Sequence, residues 1–123
     1  PGGFNDGIGA VALFNAPEGV AVLRDGVTVL VADSLNHRVR SLNLLTARVT
    51  TLSGDGTSAS VDGTGAAAQH NLPVGVVASP DGETAYVSDQ GGHVIRKIVI
   101  ATGVVTTLAG SGTDTFADGI GIL

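Results

Sequence analysis

The sequence predicts an all-β protein built from stacked antiparallel sheets of four strands each. First, residues 31–40 return as residues 87–96, and the same offset of 56 residues aligns the rest of the chain without a gap. Second, 43% of the residues are hydrophobic but only 3% are aromatic, so burial depends on Val, Leu, Ile and Ala. Third, 19 glycines mark frequent turns between short β-prone runs.

The repeat divides the chain into two whole units and the opening of a third. The first unit covers residues 1–59 and the second covers residues 60–115. Residues 116–123 begin another copy, because 116–121 match 4–9 at twice the offset. A unit that stacks on its own copies determines the architecture, so the length of this chain is best read as a number of units.

Each unit opens with a loop and then a first strand. Glycines interrupt any regular period in residues 1–15, which predicts a loop, although the apolar run at 10–14 could form a single helical turn. Pro17 favours extended geometry, so we expect the first strand at 19–23, with its counterpart at 75–79. Gly19 within this strand would allow another backbone to approach closely.

Three further strands complete each unit. Asp-Gly pairs at 25–26 and 81–82 predict tight hairpins, because this dipeptide supplies the positive φ that such turns require. The later strands are predicted from their β-branched and apolar residues. They cover residues 28–32, 37–44 and 48–52 in the first unit, and 84–88, 93–100 and 104–108 in the second.

The third strand carries apolar residues on both of its faces, as expected for a sheet covered on both sides. Four-stranded sheets stacked around an axis form a β-propeller, and each sheet is then one blade. Residues 54–72 connect the two units, and their glycines, acids and short apolar run predict an ordered flap over the blade junction.

The motifs of each unit resemble those of the NHL-repeat β-propeller family over essentially the whole chain. They are Val-Ala-Asp at 31–33, Asn-His-Arg-Val-Arg at 36–40 and Val-Thr-Thr-Leu at 49–52. The second unit departs from the pattern where His70, Gly92 and Val94 replace Phe14, Asn36 and Arg38. The resemblance implies a propeller fold, but it leaves function open between interaction platforms, extracellular structural modules and a few metal-dependent lyases or hydrolases.

Histidines and acids at repeated positions are the candidate metal ligands. The candidates are His37, His93, Asp6, Asp62 and Asp118. A catalytic metal site needs about three converging protein ligands, and the acids lack the spacing of a calcium loop. We therefore expect hairpin histidines bonded to the backbone of their own turns, and turn-forming acids. His70 is expected to be a substitution at an apolar packing position. No catalytic residue, metal or cofactor is predicted.

Other polar residues are predicted to shape the turns and the repeat. Asp33 with Arg40, and Asp89 with Arg96, are expected to form one charge pair in each blade, worth about 0–1 kcal/mol if exposed. The positions assigned this structural role are Asp25, Gly26, Asp81, Gly82, Asp33, Asp89, Asn36, His37, His93, Arg40 and Arg96.

Composition argues against several partners. The net charge is −5 and the six cations are too few and too scattered for a nucleic-acid surface. No apolar segment is long enough to span a bilayer, so membrane insertion is not expected.

The chain starts at Pro1 and contains neither methionine nor a leader pattern, so we expect a processed product or a piece of a longer polypeptide.

The sequence therefore predicts a non-catalytic structural or interaction module with a protein- or glycan-binding surface. Its expected partners are other copies of itself or further blades of the same polypeptide, joined head to tail in a ring or a filament. An extracellular or cell-surface location is favoured. The alternative is that these blades belong to a metal-dependent propeller lyase or hydrolase whose catalytic residues lie mostly outside this chain.

Overall fold

A computed structural model describes residues 2–121 as two five-stranded antiparallel sheets, here called blade 1 and blade 2. In each sheet the four long strands lie side by side in chain order, and a two-residue strand pairs with the last of them. The result is the all-β architecture of a partial β-propeller.

The strand bounds repeat from one blade to the next. Blade 1 contains β1 (Gly7–Ile8), β2 (Pro17–Val22), β3 (Thr28–Asp33), β4 (Arg38–Asn43) and β5 (Arg48–Ser53). Blade 2 contains β6 (Gly63–Thr64), β7 (Pro73–Ala78), β8 (Thr84–Asp89), β9 (Val94–Val99) and β10 (Val104–Ala109). The strand order is β1-β5-β4-β3-β2 in blade 1 and β6-β10-β9-β8-β7 in blade 2, and β2 and β7 are here called the inner strands. Short 3₁₀ turns lie at Gly9–Val11, Ser34–Asn36 and Gly65–Ala67. No helix between residues 2 and 121 is long and apolar enough to cross a membrane.

All four predicted strands are present in each blade, with bounds within two residues of those expected. The fifth, two-residue strand was not predicted. It comes from the loop that opens each unit and pairs with the outermost long strand, as Gly7 does with Val49. The ranges 1–59 and 60–115 each contain one sheet. In the range 116–123, residues 116–121 contain no strand, and residues 122 and 123 lie outside the described part.

The hairpin turns form at the Asp-Gly pairs. Gly26 and Gly82 adopt φ values of 68° and 75°, which favour glycine. The Asp25 carboxylate accepts hydrogen bonds from the backbone N–H groups of Val27 and Thr28, each at 2.8 Å. The backbone bond from Thr28, followed by that from Val27, lowers the pKa of Asp25. The charged carboxylate therefore closes its own turn.

The hydrophobic core lies between the two blades. Leu30, Ala32 and Val39 of blade 1 pack with residues of blade 2 that include Val87 and Ile98. These side chains come from opposite sheets and exclude water from the junction. The junction is therefore the main apolar contact of the molecule.

The inner strands approach closely where the sequence predicts that they can. A β-carbon at Gly19 would collide with the carbonyl oxygen of Val74 and lie 3.1 Å from the Cα of Gly75. Any side chain at this position would push β2 away from β7. The predicted close approach at Gly19 is confirmed.

The connecting segment forms the expected flap at the blade junction. The Gly54 N–H donates to the Gly65 carbonyl at 3.1 Å, and the Gly65 N–H donates to the Gly103 carbonyl at 2.9 Å. Ala68 of the same segment is fully buried in the core. The flap therefore ties the outer parts of both blades together.

Candidate functional site

Blade 1 buries an arginine between two carboxylates. Arg40 of β4 donates to Asp33 at 2.7 Å and to Asp6 at 2.8 Å. The side chains of Arg40 and Asp33 are fully buried. The stabilisation of about 0–1 kcal/mol expected for an exposed pair therefore does not apply to them. Removing one partner of a buried pair costs about 3–5 kcal/mol, because the other charge is left without compensation.

Blade 2 repeats this ion-pair cluster. Arg96 donates to Asp89 at 2.7 Å and to Asp62 at 3.1 Å. The Thr107 hydroxyl donates to Asp62 at 2.9 Å, in the same way that Thr51 donates to Asp6 at 3.0 Å. Asp6 and Asp62 were candidate metal ligands that the sequence assigns instead to turn formation. In the structure each carboxylate binds an arginine of its own blade, Arg40 or Arg96.

Two aromatic rings, those of Phe4 and Phe14, lie against Arg40 of blade 1. The Phe4 ring centroid lies 3.6 Å from the Arg38 guanidinium carbon and 4.7 Å from that of Arg40. Phe14 lies 4.9 Å from Arg40. Arg38 also donates to the carbonyl oxygens of Asn36, at 3.3 Å, and Asp55, at 2.8 Å. Cation–π attraction and hydrogen bonds therefore act together at this corner.

His70 takes the place of Phe14 in blade 2 and changes the chemistry of the cluster. Its Nδ1 lies 3.1 Å from Asp89 Oδ1, and its Nε2 lies 2.8 Å from Ser53 Oγ. All three residues are buried, and Ser53 ends β5 of blade 1. The interpretation of His70 as an apolar packing residue is therefore wrong, because the buried imidazole is hydrogen-bonded across the blade junction.

Asp89 remains charged in this buried site. Burial by itself would raise its pKa, but the hydrogen bond and charge of His70, followed by those of Arg96, together hold the pKa below the ordinary value of 3.8. An ionised carboxylate requires a proton on the facing Nδ1 of His70. In a neutral imidazole, Nε2 then accepts the Ser53 hydroxyl proton.

The order Ser53, His70, Asp89 has the connectivity of a nucleophile, a base and an orienting acid. Ser53 is 0% exposed, however, and its hydroxyl lies inside the blade junction. A substrate carbonyl cannot reach Ser53 Oγ in this arrangement. The chemistry that the three groups support is a hydrogen-bonded link between blades.

The two repeated histidines lie apart from the ion-pair clusters. His37 adopts a φ of 52° and its backbone N–H bonds to Ser34 in the same turn, whereas its ring Nδ1 accepts the Leu72 N–H at 3.1 Å. The ring therefore caps the next repeat instead of its own turn. His93 lies beside the tail segment, which also carries the exposed Asp118. Within residues 2–121, no three His, Asp or Glu side chains are grouped to hold a metal ion.

A cavity in blade 2 was not predicted from the sequence. It measures about 380 Å³ and is lined by Ser60, Asp62, Gly92, Val94, Thr107, Gly110, Ser111 and Gly112. The repeat offset places Ser60, Gly92 and Val94 at the positions of Phe4, Asn36 and Arg38. Each of these three residues of blade 2 has a smaller side chain than its counterpart in blade 1, and this loss of side-chain volume is the sequence signal for the cavity.

No protein-family model matches this sequence. The chain is 37% identical over 113 residues to Protein SUPPRESSOR OF QUENCHING 1, chloroplastic, of Arabidopsis thaliana, a match covering 89% of this chain and 11% of that protein. It is 32% identical over 108 residues to NHL repeat-containing protein 2 of Homo sapiens, covering 84% of this chain and 14% of that protein. The chain thus spans about a tenth to a seventh of the length of these relatives.

Two solved structures from Bacteroides thetaiotaomicron share the fold. A structural genomics protein of unknown function matches with a TM-score of 0.73 and 26% identity, over 86% of this chain and 25% of that one. An auxiliary nutrient binding protein matches with a TM-score of 0.65 and 22% identity, over 80% of this chain and 26% of that one. With the repeated motifs and the two stacked sheets, the 32% identity to NHL repeat-containing protein 2 establishes that the chain belongs to the NHL-repeat β-propeller family.

Proposed function

We propose that the two blades act as a non-catalytic interaction module whose open faces are covered by further blades. Those blades come from second copies of the chain or from the same polypeptide. The assembled propeller would then present a surface to a protein or glycan ligand.

The exposure of repeat-related residues carries this proposal. Val76 is 5% exposed at the blade junction, whereas its counterpart Val20 is 65% exposed on the open face of blade 1. Val39 is 0% exposed at the junction, whereas its counterpart Ile95 is 41% exposed on the open face of blade 2. Each open face therefore carries apolar positions that the repeat buries where a neighbouring blade is present.

The two open faces are complementary. Val20 and Val22 belong to the face of blade 1 that corresponds to the covered face of blade 2. Val77, Ile95 and Leu108 belong to the face of blade 2 that corresponds to the covered face of blade 1. One face can therefore meet the other head to tail, which is a heterologous contact. Contiguous exposed apolar surface is typical of an interaction site.

The tail supports a further blade beside blade 2. Phe116 and Asp118 occupy the repeat positions of Phe4 and Asp6, and both are exposed. Their counterparts contact arginines of the sheet whose long strands come next in the chain, as Asp6 contacts Arg40.

The non-catalytic part of the proposal is supported by the burial of Ser53 and His70, the groups closest in arrangement to a nucleophile and its base.

Sedimentation velocity of the full chain from about 1 to about 100 μM tests completion by second copies, because association depends on concentration. We expect the mean mass to rise, and we expect Val20→Asp to prevent the rise by placing a charge on the open face. Leu45→Asp is the matched control, since Leu45 is also exposed but lies in the β4–β5 turn. A folded monomer throughout this range would contradict self-association.

A further inference from the structure

Blade 1 shows which group fits the corner that is open in blade 2. In blade 1 this corner holds the Arg38 guanidinium, which stacks on Phe4 and donates to the carbonyl oxygens of Asn36 and Asp55. The guanidinium also lies against Gly56, where a β-carbon would stand 2.7 Å from Nη1 and 2.9 Å from Nη2. A planar cation thus fills the space between two carbonyl groups and a glycine.

Blade 2 keeps the acceptors of this corner but replaces the groups that fill it. Val94 and Ser60 stand at the positions of Arg38 and Phe4. At Gly112, the counterpart of Gly56, a β-carbon would find only the Gly92 carbonyl oxygen within reach, at 3.9 Å. The 380 Å³ cavity lies at this corner.

The acceptors of the cavity match those that bind the guanidinium in blade 1. The carbonyl oxygens of Gly92 and Ser111 correspond to those of Asn36 and Asp55. Neither accepts a hydrogen bond from another residue in the described range 2–121. Asp62 already accepts hydrogen bonds from Arg96 and Thr107 through Oδ1, but its carboxylate is 53% exposed and is the charged side chain among the lining residues. The lining therefore favours a hydrogen-bond donor with positive charge.

The geometry selects arginine over lysine. A guanidinium presents five donors in a planar fork and can reach separate carbonyl groups at once, whereas an ammonium is a compact point charge. The flat surface at Gly112 suits the planar group, as Gly56 does in blade 1. The cavity is also within the range of about 300–1,000 Å³ typical of small-ligand sites.

We propose that this blade 2 pocket binds the guanidinium group of an arginine side chain from a protein partner. The inference rests on the proposed function in one respect, namely that the arginine is supplied by a protein. Guanidinium binding and self-association are measured separately, so either can fail while the other holds.

The probe is N-acetylarginine amide, titrated at pH 8 into the full chain and followed by amide NMR. We expect saturable shifts at the amides of Gly92, Ser111 and Gly112. N-acetylcitrulline amide has a similar shape but no charge, and we expect it to bind at least about tenfold more weakly. Guanidinium chloride at the same concentration shows whether the planar cation alone suffices.

Reciprocal variants test the location. Ser60→Phe combined with Val94→Arg fills the corner from within and should abolish probe binding; Val94→Arg alone is the second test if the pair does not fold. Phe4→Ser combined with Arg38→Val opens the matching corner of blade 1 and should add a second set of saturable shifts, near Gly56.

Three results would overturn the proposal. The first is an absence of shifts at about 10 mM probe, which is tenfold above the Kd of about 1 mM expected for a fragment of this size. The second is equal binding of the arginine and citrulline compounds. The third is unchanged binding in a folded variant that carries Val94→Arg.

Discussion

Asp33 and Asp89 occupy the same repeat position, yet their partners differ. Both are buried and both accept a hydrogen bond from the arginine of their own blade at 2.7 Å. Asp33 also accepts from Asn36, whereas Asp89 also bonds to His70. The carboxylate at this repeat position therefore bonds only within its own blade in blade 1, whereas in blade 2 it also belongs to the hydrogen-bonded link between the blades.

Replacing Asp89 by asparagine should destabilise the chain by about 3–5 kcal/mol at pH 7, because Arg96 loses a buried counter-charge. The pKa of Asp89 is lower in the folded chain than its ordinary value of 3.8. Its stabilising contribution is therefore fully present above that value and is lost as the pH falls through the lower folded pKa. Urea unfolding at a series of pH values should show the difference between the two proteins shrinking with acidification. A constant difference from pH 7 to pH 2 would contradict this prediction.

His70 and Ser53 should behave as a coupled pair. We expect His70→Phe and Ser53→Ala each to lower the free energy of unfolding by about 1–3 kcal/mol, because each leaves a buried polar group without its partner. The double variant removes both groups and should cost less than the sum of the single changes. A double-mutant cycle from urea unfolding measures the coupling, and strict additivity would show that the hydrogen bond between the two residues contributes nothing.

At the scale of the elements, the inner strands set how closely the blades pack. Gly19 of β2 and Gly75 of β7 share a repeat position, but their surroundings differ. A β-carbon at Gly19 would collide with backbone, whereas one at Gly75 would meet only the Ser88 hydroxyl, at 3.0 Å. The Ser88 hydroxyl, which accepts the Gly75 N–H at 2.9 Å, needs to shift by only a few tenths of an ångström, whereas a paired strand has to move as a whole.

Gly19→Ala should therefore destabilise the chain by about 1–3 kcal/mol, the usual cost of overpacking. Gly75→Ala is the matched control and should cost less. Neither glycine has a positive φ, so the comparison isolates the effect of space from that of backbone conformation. The free energies of unfolding of both variants provide the measurement, and an equal cost would contradict the close approach at Gly19.

At the scale of the whole molecule, two sheets share one covered junction and leave one open face each. Residues related by the repeat therefore experience different surroundings in the same chain. Val76 packs into the junction, while Val20 faces outwards. Head-to-tail association of two copies would bury Val20 as Val76 is buried now.

At low protein concentration, Val76→Ala should destabilise the chain by about 2 kcal/mol, because a buried valine loses apolar contact. Val20→Ala should then cost less than about 0.5 kcal/mol, as is usual at an exposed position. If second copies cover the open faces as proposed, the cost at Val20 should rise towards that at Val76 as the protein concentration increases. Thermal unfolding across a range of protein concentrations tests this, and a cost at Val20 that does not depend on concentration would count against covered open faces.

The long strands and the Asp-Gly hairpins could be predicted from sequence because they depend on nearby residues. Turn chemistry and β-propensity act over a few positions, and the offset of 56 residues can be read directly from the chain. The charge pairs of Asp33 with Arg40 and of Asp89 with Arg96 could be predicted for the same reason, because their residues are seven positions apart across one turn. Neither the propensities nor the spacing indicated how deeply the pairs are buried.

The sequence by itself determined the number of repeats, the strand order along the chain and the family to which the motifs belong. The repeat shows smaller side chains at positions 60, 92 and 94, but only the tertiary structure decided that the missing volume forms a cavity where blade 1 holds Arg38, and that His70 bonds to Ser53 and Asp89. Both features depend on residues 17 or more positions apart that meet only when flap and sheets are assembled. The free energy of such contacts depends on burial and geometry, and these properties arise from the packing of one blade on the next.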